Sequence, residues 1–251
     1  METLINRCRR LIAATKTDCV RSIIQQINWN CRLISIRGAR GVGKTTLMLQ
    51  YLKLHNIDYK TMLYISLDSN YFTRNNLLDF VETFYKQGGQ HLFIDEVHKY
   101  PQWSNEIKEI YDTYPDLKVV ISGSSMLDIL NADADLSRRC IPYEMQGLSF
   151  REYLAMVHKI ELPSITLTDL LSNPGAFCDK VNASCRPLAY FNDYLKHGYY
   201  PFILEGEQEY PIRIDNVVNF IIDVELPQLC GVEVSNLRKI KALITILASA
   251  V

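Results

Sequence analysis

The sequence lacks features that are typical of secreted proteins, of proteins stabilised by a bound metal and of membrane proteins. Its seven cysteines are scattered, and none of them forms a Cys-x-x-Cys pair, so neither a disulfide framework nor a zinc site is predicted. No apolar run approaches the roughly 18 residues that a membrane-spanning helix needs, and the first residues lack the apolar core of a signal peptide. These absences predict a soluble cytoplasmic protein in a reducing compartment.

Net charge is also nearly absent, with 27 basic against 28 acidic residues, but the charge is unevenly spread. The first 50 residues hold nine Lys and Arg against two acids. A basic segment can contact DNA or an acidic protein partner, although a solvated helix face beside an anion-binding loop is the simpler explanation. Apolar residues from Leu4 to Ile27 recur at helical spacing, which predicts an amphipathic helix within residues 1–29.

Against this background, residues 38–45 (GARGVGKT) form a complete GxxxxGK[ST] phosphate-binding loop, the Walker A motif. An apolar run precedes the loop and a leucine-rich segment follows it, which predicts the strand–loop–helix setting that the motif requires. We expect Lys44 to reach the β- and γ-phosphates and the Thr45 hydroxyl to bind Mg²⁺. The predicted nucleotide-binding residues are Gly38, Ala39, Arg40, Gly41, Val42, Gly43, Lys44, Thr45 and Thr46.

A pair of acids follows a second apolar run about fifty residues later. Residues 92–94 are apolar and lead directly into Asp95 and Glu96, the pattern of a Walker B strand. A buried strand of this kind delivers Asp95 to the neighbourhood of the Mg²⁺. Glu96 is predicted to polarise the water that attacks the γ-phosphate. The sequence therefore predicts a magnesium ligand and a catalytic base side by side.

A third apolar run ends in a serine-rich turn, residues 122–125 (SGSS). A small polar residue at the tip of a strand beside the acids can hydrogen-bond the γ-phosphate or the attacking water. A plain strand-to-helix turn with an N-cap serine explains the pattern equally well. Ser122 and Ser124 are equivalent candidates, since the sequence does not distinguish them.

Strands and helices alternate along the first half of the chain. Because alternation of this kind favours parallel strands joined by right-handed crossovers, we predict an α/β P-loop NTPase sheet flanked by helices and followed by a smaller helical lid-like region. Nucleotide would lie at the carboxyl ends of the strands. The predicted strands cover 32–37, 61–67, 91–95 and 117–122, and the helices between them cover 44–55, 74–86 and 103–113.

Several further segments resemble a bacterial and archaeal family of AAA+ ATPases that is common in Bacteroides-like genomes. They are residues 93–103 (FIDEVHKYPQW), 122–125 (SGSS), 135–139 (DLSRR) and 147–153 (GLSFREY). The resemblance implies ATP and Mg²⁺ as ligands. The preference for adenine over guanine is inferred from the resemblance alone. It also points to an arginine that stabilises charge on the γ-phosphate, with Arg139 at the matching position and Arg138 in place of a glycine. Whether that arginine would serve its own chain or a neighbouring subunit stays open.

In that family a winged-helix-like segment and a nuclease-like domain of unknown function follow the ATPase core. The resemblance thus implies a core over residues 30–155, a helical lid-like region over 156–230 and the start of a winged-helix-like segment over 231–251. The apolar last residues fit an expectation that this final segment is truncated.

Three functions remain open from the residues. The first is a Mg²⁺-dependent ATP hydrolase that couples turnover to a conformational change. The second is a nucleotide-gated switch or DNA-associated regulator with little turnover, which needs Asp95 but little from Glu96. A P-loop small-molecule kinase is less favoured, because of the Asp-Glu pair and the lid-like helices. The oligomeric state and the DNA or protein partner are not specified.

Overall fold

The computed structural model describes residues 1–56, 58–123 and 136–249, which form two compact units. The first unit combines Met1–Met145 with Asp215–Val251, and the second is Gln146–Ile214. This division differs from the expected boundaries at residues 155 and 230, because the segment after residue 214 groups with the phosphate-binding unit.

A parallel sheet forms the centre of the first unit. Within the described residues it has five strands: β1 (Leu33–Arg37), β2 (Met62–Ser66), β3 (His91–Asp95), β4 (Lys118–Gly123) and β5 (Ile141–Glu144). Their order is β2-β3-β4-β1-β5, and every pairing is parallel. All the carboxyl ends therefore meet at one edge of the sheet, where ligands bind in open α/β folds.

Four helices of the first unit accompany the sheet. They are α1 (Glu2–Ala14), α2 (Lys44–Leu54), α3 (Leu77–Lys86) and α4 (Trp103–Thr113). The inner strands β1, β3 and β4 are buried except at the ends of β1 and β4, with Ile34, Leu92 and Val120 fully inaccessible to solvent. Burial on both faces explains why these strands are mainly apolar and show no regular polar alternation. The predicted α/β P-loop NTPase fold is confirmed, and the predicted bounds of β1 to β4 and of α2 to α4 differ from the observed ones by no more than three residues.

The prediction of one amphipathic helix across residues 1–29 is wrong beyond Ala14. Helix α1 ends there because the backbone of Thr15 turns to an extended conformation (ψ 126°). The end is stabilised by Lys53 of α2, whose Nζ donates to the carbonyl oxygens of Ala13 (3.2 Å) and Thr15 (2.6 Å). A cation at a helix carboxyl end satisfies carbonyls that have no partner within the helix.

Strand β5 was not predicted from the sequence. It lies at the sheet edge, is largely exposed and carries Pro142 at its centre. Proline has no backbone N–H to donate and is accepted at edge strands, so the local sequence gives no strand signal.

The second unit is helical. Its helices are α5 (Phe150–His158), α6 (Leu167–Ser172), α7 (Pro174–Ser184) and α8 (Leu188–His197). Ser149 and Glu152 form a reciprocal capping box at the start of α5. The unit agrees with the predicted helical lid-like character of the region after the sheet.

The last part of the chain returns to helix. It contains α9 (Tyr210–Phe220), a π-helical turn (Ile221–Glu225), α10 (Leu226–Cys230) and α11 (Val234–Ser249). Lys241 of α11 donates to Asp223 in the π-helical turn at 2.7 Å. In the ranges that the structure describes, no helix is both long and apolar enough to cross a membrane.

Candidate active site

The phosphate-binding loop takes a backbone shape that its glycines permit. Gly43 has φ 99° immediately before α2, a left-handed conformation that side chains disfavour. Gly38 has φ 153°, and a Cβ at this position would overlap the carbonyl oxygen of Met145. The buried Arg21 braces the loop from outside, since its Nη1 donates to the Val42 carbonyl oxygen at 3.0 Å. The loop thus forms a cradle at the amino end of α2, where backbone N–H groups favour anions.

Lys44 lies inside this cradle and is only 6% exposed. Its Nζ donates to the carbonyl oxygens of Gly38 (2.8 Å) and Ala39 (2.9 Å). Burial lowers the pKa of Lys44, while the negative charges of Glu96, Asp95 and Glu225 oppose that change. Burial of a cation beside an anion-binding loop is costly unless an anion offsets it, which fits phosphate recognition.

Asp95 is the centre of a buried hydrogen-bond cluster at the carboxyl edge of the sheet. Ile94 of β3 pairs with Ile121 of β4, so Asp95 and Ser122 follow at the same level on neighbouring strands. Thr45 Oγ1 donates to Asp95 Oδ2 at 2.6 Å, and the Ser122 hydroxyl donates to Oδ1. The predicted residues Thr45, Asp95 and Ser122 are therefore brought together, whereas Ser124 lies outside the described residues.

Tyr64 completes this cluster and was missed by the sequence analysis. Its hydroxyl donates to Asp95 Oδ2 at 2.7 Å from the neighbouring strand β2. Burial and the nearby Asp95 charge raise the pKa of Tyr64, so the hydroxyl keeps its proton and acts as the donor. A tyrosine within an apolar strand is typical of a core residue, and only the order of the strands in the sheet shows that its partner is Asp95.

The donors around Asp95 fit a magnesium ion. Thr45 Oγ1 and Asp95 Oδ2 are adjacent oxygen atoms at the mouth of the phosphate cradle. Mg²⁺ prefers oxygen ligands and is commonly held by one or two protein groups together with substrate phosphates. Tyr64 and Ser122 would remain as the outer partners that orient the carboxylate.

Glu96 is held in a left-handed backbone conformation, with φ 55° and ψ 43°. Such a conformation is uncommon for a side chain larger than that of Asn or Asp, and it concentrates at functional sites. Burial, followed by the charge of Asp95, raises the pKa of Glu96, while Lys44, Arg40 and Lys99 oppose this. A carboxylate with a raised pKa is a stronger base, which suits proton abstraction from water.

His98 lies beside Glu96, in the turn that follows it. Its Nε2 lies 3.3 Å from Glu96 Oε2. Burial lowers the pKa of His98 to about 4, with Lys99, Lys44 and Arg40 acting in the same direction. His98 is therefore neutral at physiological pH, and in the part of the chain that the structure describes the buried Glu96 Oε2 has no hydrogen-bond partner.

The arginine pair is not brought to the phosphate loop of its own chain. Arg139 makes a two-pronged ion pair with Asp112, with both N···O distances at 2.9 Å, and Arg138 is exposed. Asp112 lies in the last turn of α4, which leads to the amino end of β4, and Arg139 lies two residues before the amino end of β5. Arg139 thus lies near the amino ends of the strands, whereas Lys44 lies near their carboxyl ends. For strands of this length the two ends are roughly 15 Å apart.

Comparison with known proteins gives one family match and several more distant similarities. Residues 30–154 match a family described as AAA domain. The uncharacterized protein MJ1637 of Methanocaldococcus jannaschii is 29% identical over 231 residues, covering 86% of this chain and 48% of that protein. The chain thus spans about half the length of the curated relative it matches.

Two solved structures show a more distant similarity to this chain. PCH-2 of C. elegans is 17% identical, with a TM-score of 0.39 over 68% of this chain and 46% of its own. AMPPCP-bound DnaA from Aquifex aeolicus is 17% identical, with a TM-score of 0.40 over 68% of this chain and 57% of its own.

Proposed function

Since residues 30–154 carry an AAA domain, we propose that this chain is a Mg²⁺-dependent ATPase of the AAA+ type. Hydrolysis of the γ-phosphate would drive a conformational change. The observation that carries the proposal is the convergence of Lys44, Thr45, Asp95 and Glu96 at one edge of the sheet, with Thr45 and Asp95 in direct contact.

Each residue has a distinct part in this reaction. The loop backbone and Lys44 bind the β- and γ-phosphates, and Lys44 must exchange its bonds to Gly38 and Ala39 for phosphate oxygens. Thr45 and Asp95 would hold Mg²⁺, which neutralises charge that develops on the phosphates when it is bound. Glu96 accepts the proton of the attacking water.

The Ser122 hydroxyl has a structural role in this arrangement. It is fully buried and donates to Asp95, which fixes the orientation of that carboxylate. A direct contact with the γ-phosphate, the other role considered for this serine, would require the hydroxyl to leave Asp95.

Arg139 would serve a neighbouring subunit. Its position at the amino edge separates it from its own phosphate loop, so contact with a γ-phosphate requires a second copy whose site approaches that edge. In other phosphoryl-transfer enzymes an arginine that reaches the γ-phosphate raises the rate by about 10³ to 10⁵.

The proposal is tested by phosphate release from ATP, measured at several protein concentrations with and without Mg²⁺ and with and without duplex DNA. We expect Mg²⁺-dependent release whose rate per chain rises with protein concentration. ATP binding without measurable release would overturn the hydrolase and leave the nucleotide-gated switch. Stimulation by DNA would identify nucleic acid as a partner.

Replacing Tyr64 by Phe should weaken the binding of Mg²⁺ without unfolding the protein. The substitution removes one of three hydroxyls on Asp95 and keeps the ring that fills the core. Loss of an outer partner of a metal ligand commonly costs 10- to 100-fold in metal affinity or activity. We expect the Mg²⁺ concentration for half-maximal phosphate release to rise about ten-fold.

The matched control is Tyr51→Phe, which alters a half-buried tyrosine whose ring stacks on that of Trp29, with the ring centres 3.9 Å apart. An unchanged Mg²⁺ requirement in Tyr64→Phe would show that the Tyr64 hydroxyl does not position Asp95.

A further inference from the structure

A carboxylate from the C-terminal part of the chain lies against the phosphate-binding loop. Glu225, at the end of the π-helical turn, has Oε1 3.9 Å from Nη1 of Arg40 in the loop. The guanidinium of Arg40 also lies 4.0 Å from the centre of the Phe220 ring, at the start of the same turn. Two groups separated by five residues thus hold one side chain of the nucleotide-binding loop.

The turn that carries these groups is itself fixed in place. Ile222 is buried, with 3% of its surface exposed, and Asp223 accepts from Lys241 at 2.7 Å. A π-helical turn is rare and is frequently found at functional sites. The position of Glu225 is therefore set by its own anchored segment and does not depend on the ion pair with Arg40.

That ion pair contributes little to folding. The Arg40 side chain is 40% exposed and the separation is 3.9 Å, and solvent screens the attraction in pairs of this kind. The negative charge of Glu225 nevertheless lies against a cation of the loop that ATP would need.

We propose that Glu225 is an internal competitor of the nucleotide phosphates, which holds Arg40 with Phe220 and lowers the affinity of the loop for ATP. ATP brings several negative charges to Lys44 and Arg40, and Glu225 repels them while it occupies Arg40. The segment from Phe220 to Glu225 would then restrain the site until phosphates displace it. This inference rests on the proposed binding of ATP by the loop.

The test is the dissociation constant of the full chain for adenosine nucleotides, measured by calorimetry at low ionic strength. We expect Glu225→Gln to bind ATP about ten-fold more tightly than the unmodified chain. The gain should decrease from ATP to ADP to AMP, because the competition is with phosphate charge. It should also shrink as salt is raised from 20 to 300 mM.

The matched control is Asp223→Asn, which removes a negative charge from the same turn and keeps an oxygen that can accept from Lys241, so that the turn stays in place. We expect its ATP affinity to stay within two-fold of the unmodified value. If Glu225→Gln does not fold, Phe220→Leu keeps an apolar group in place, frees one side of Arg40 and should also tighten ATP binding.

Equal or weaker ATP binding by Glu225→Gln would overturn the inference, as would an equal gain for AMP and ATP. Failure of the unmodified chain and of both variants to bind ATP would instead overturn the proposed function. The two failures are therefore distinguishable.

Discussion

Glu96→Gln should abolish turnover while ATP binding is retained. The amide has nearly the same shape as the carboxylate but cannot accept the proton of the attacking water. Removal of a general base commonly costs 10² to 10⁴ in rate, so phosphate release should fall by about that factor. ATP should stay bound, because Lys44, Thr45 and Asp95 are untouched. Single-turnover phosphate release and retention of labelled ATP through gel filtration measure the two effects.

The matched control for this variant is Glu109→Gln, which changes an exposed glutamate on α4. Its turnover should equal that of the unmodified chain. Equal rates in Glu96→Gln and the unmodified chain would remove Glu96 from catalysis. Loss of ATP binding in Glu96→Gln would show that the carboxylate shapes the site instead.

Arg139→Ala should reduce turnover by about 10³ or more. Mixing this variant with a second chain that retains Arg139 should restore part of the turnover. The variant keeps an intact phosphate loop but lacks the arginine. A Lys44→Ala chain has the opposite defect, with a disabled loop and an intact arginine. Because Arg139 lies at the far edge of its own sheet, we expect two inactive chains to regain phosphate release when mixed. Turnover of each variant and of the mixture measures this.

The ion pair with Asp112 provides the necessary control. Asp112→Ala breaks the pair but keeps the arginine, so it should retain turnover if the guanidinium acts on a nucleotide. Equal losses in Asp112→Ala and Arg139→Ala, with no recovery on mixing, would assign Arg139 a purely structural role. Arg138→Ala should have little effect, since Arg138 is exposed beside it.

Much of the fold and the centre of the site followed from local sequence. Strands β1 to β4 are uninterrupted apolar runs because both faces are buried, and such runs are visible in a single sequence. The phosphate loop and the Asp95–Glu96 pair then identify which ends of those strands carry the chemistry. Thr45 and Asp95, fifty residues apart, meet because two strands share one edge.

What the sequence did not reveal depends on contacts between distant segments. Tyr64 contacts Asp95 because β2 and β3 are neighbours in the sheet. The apolar sequence of β2 does not indicate that this hydroxyl has a carboxylate partner. Glu225 reaches Arg40 across 185 positions of the chain. The helical periodicity through Cys19 and Ile27 was misleading, since Ile27 is buried by other contacts after the helix has ended.

The left-handed backbone at Glu96 also bears on how such chains diverge. A non-glycine residue in this conformation costs of order 1 kcal/mol or more, which glycine or asparagine would largely avoid. While the carboxylate is needed, that cost is retained. In a lineage that ceased to hydrolyse nucleotide the carboxylate would no longer be needed. Replacement of Glu96 by glycine or asparagine would then remove the conformational cost and increase the stability of the fold. In such a lineage we expect glycine or asparagine at this position only in chains that no longer hydrolyse nucleotide.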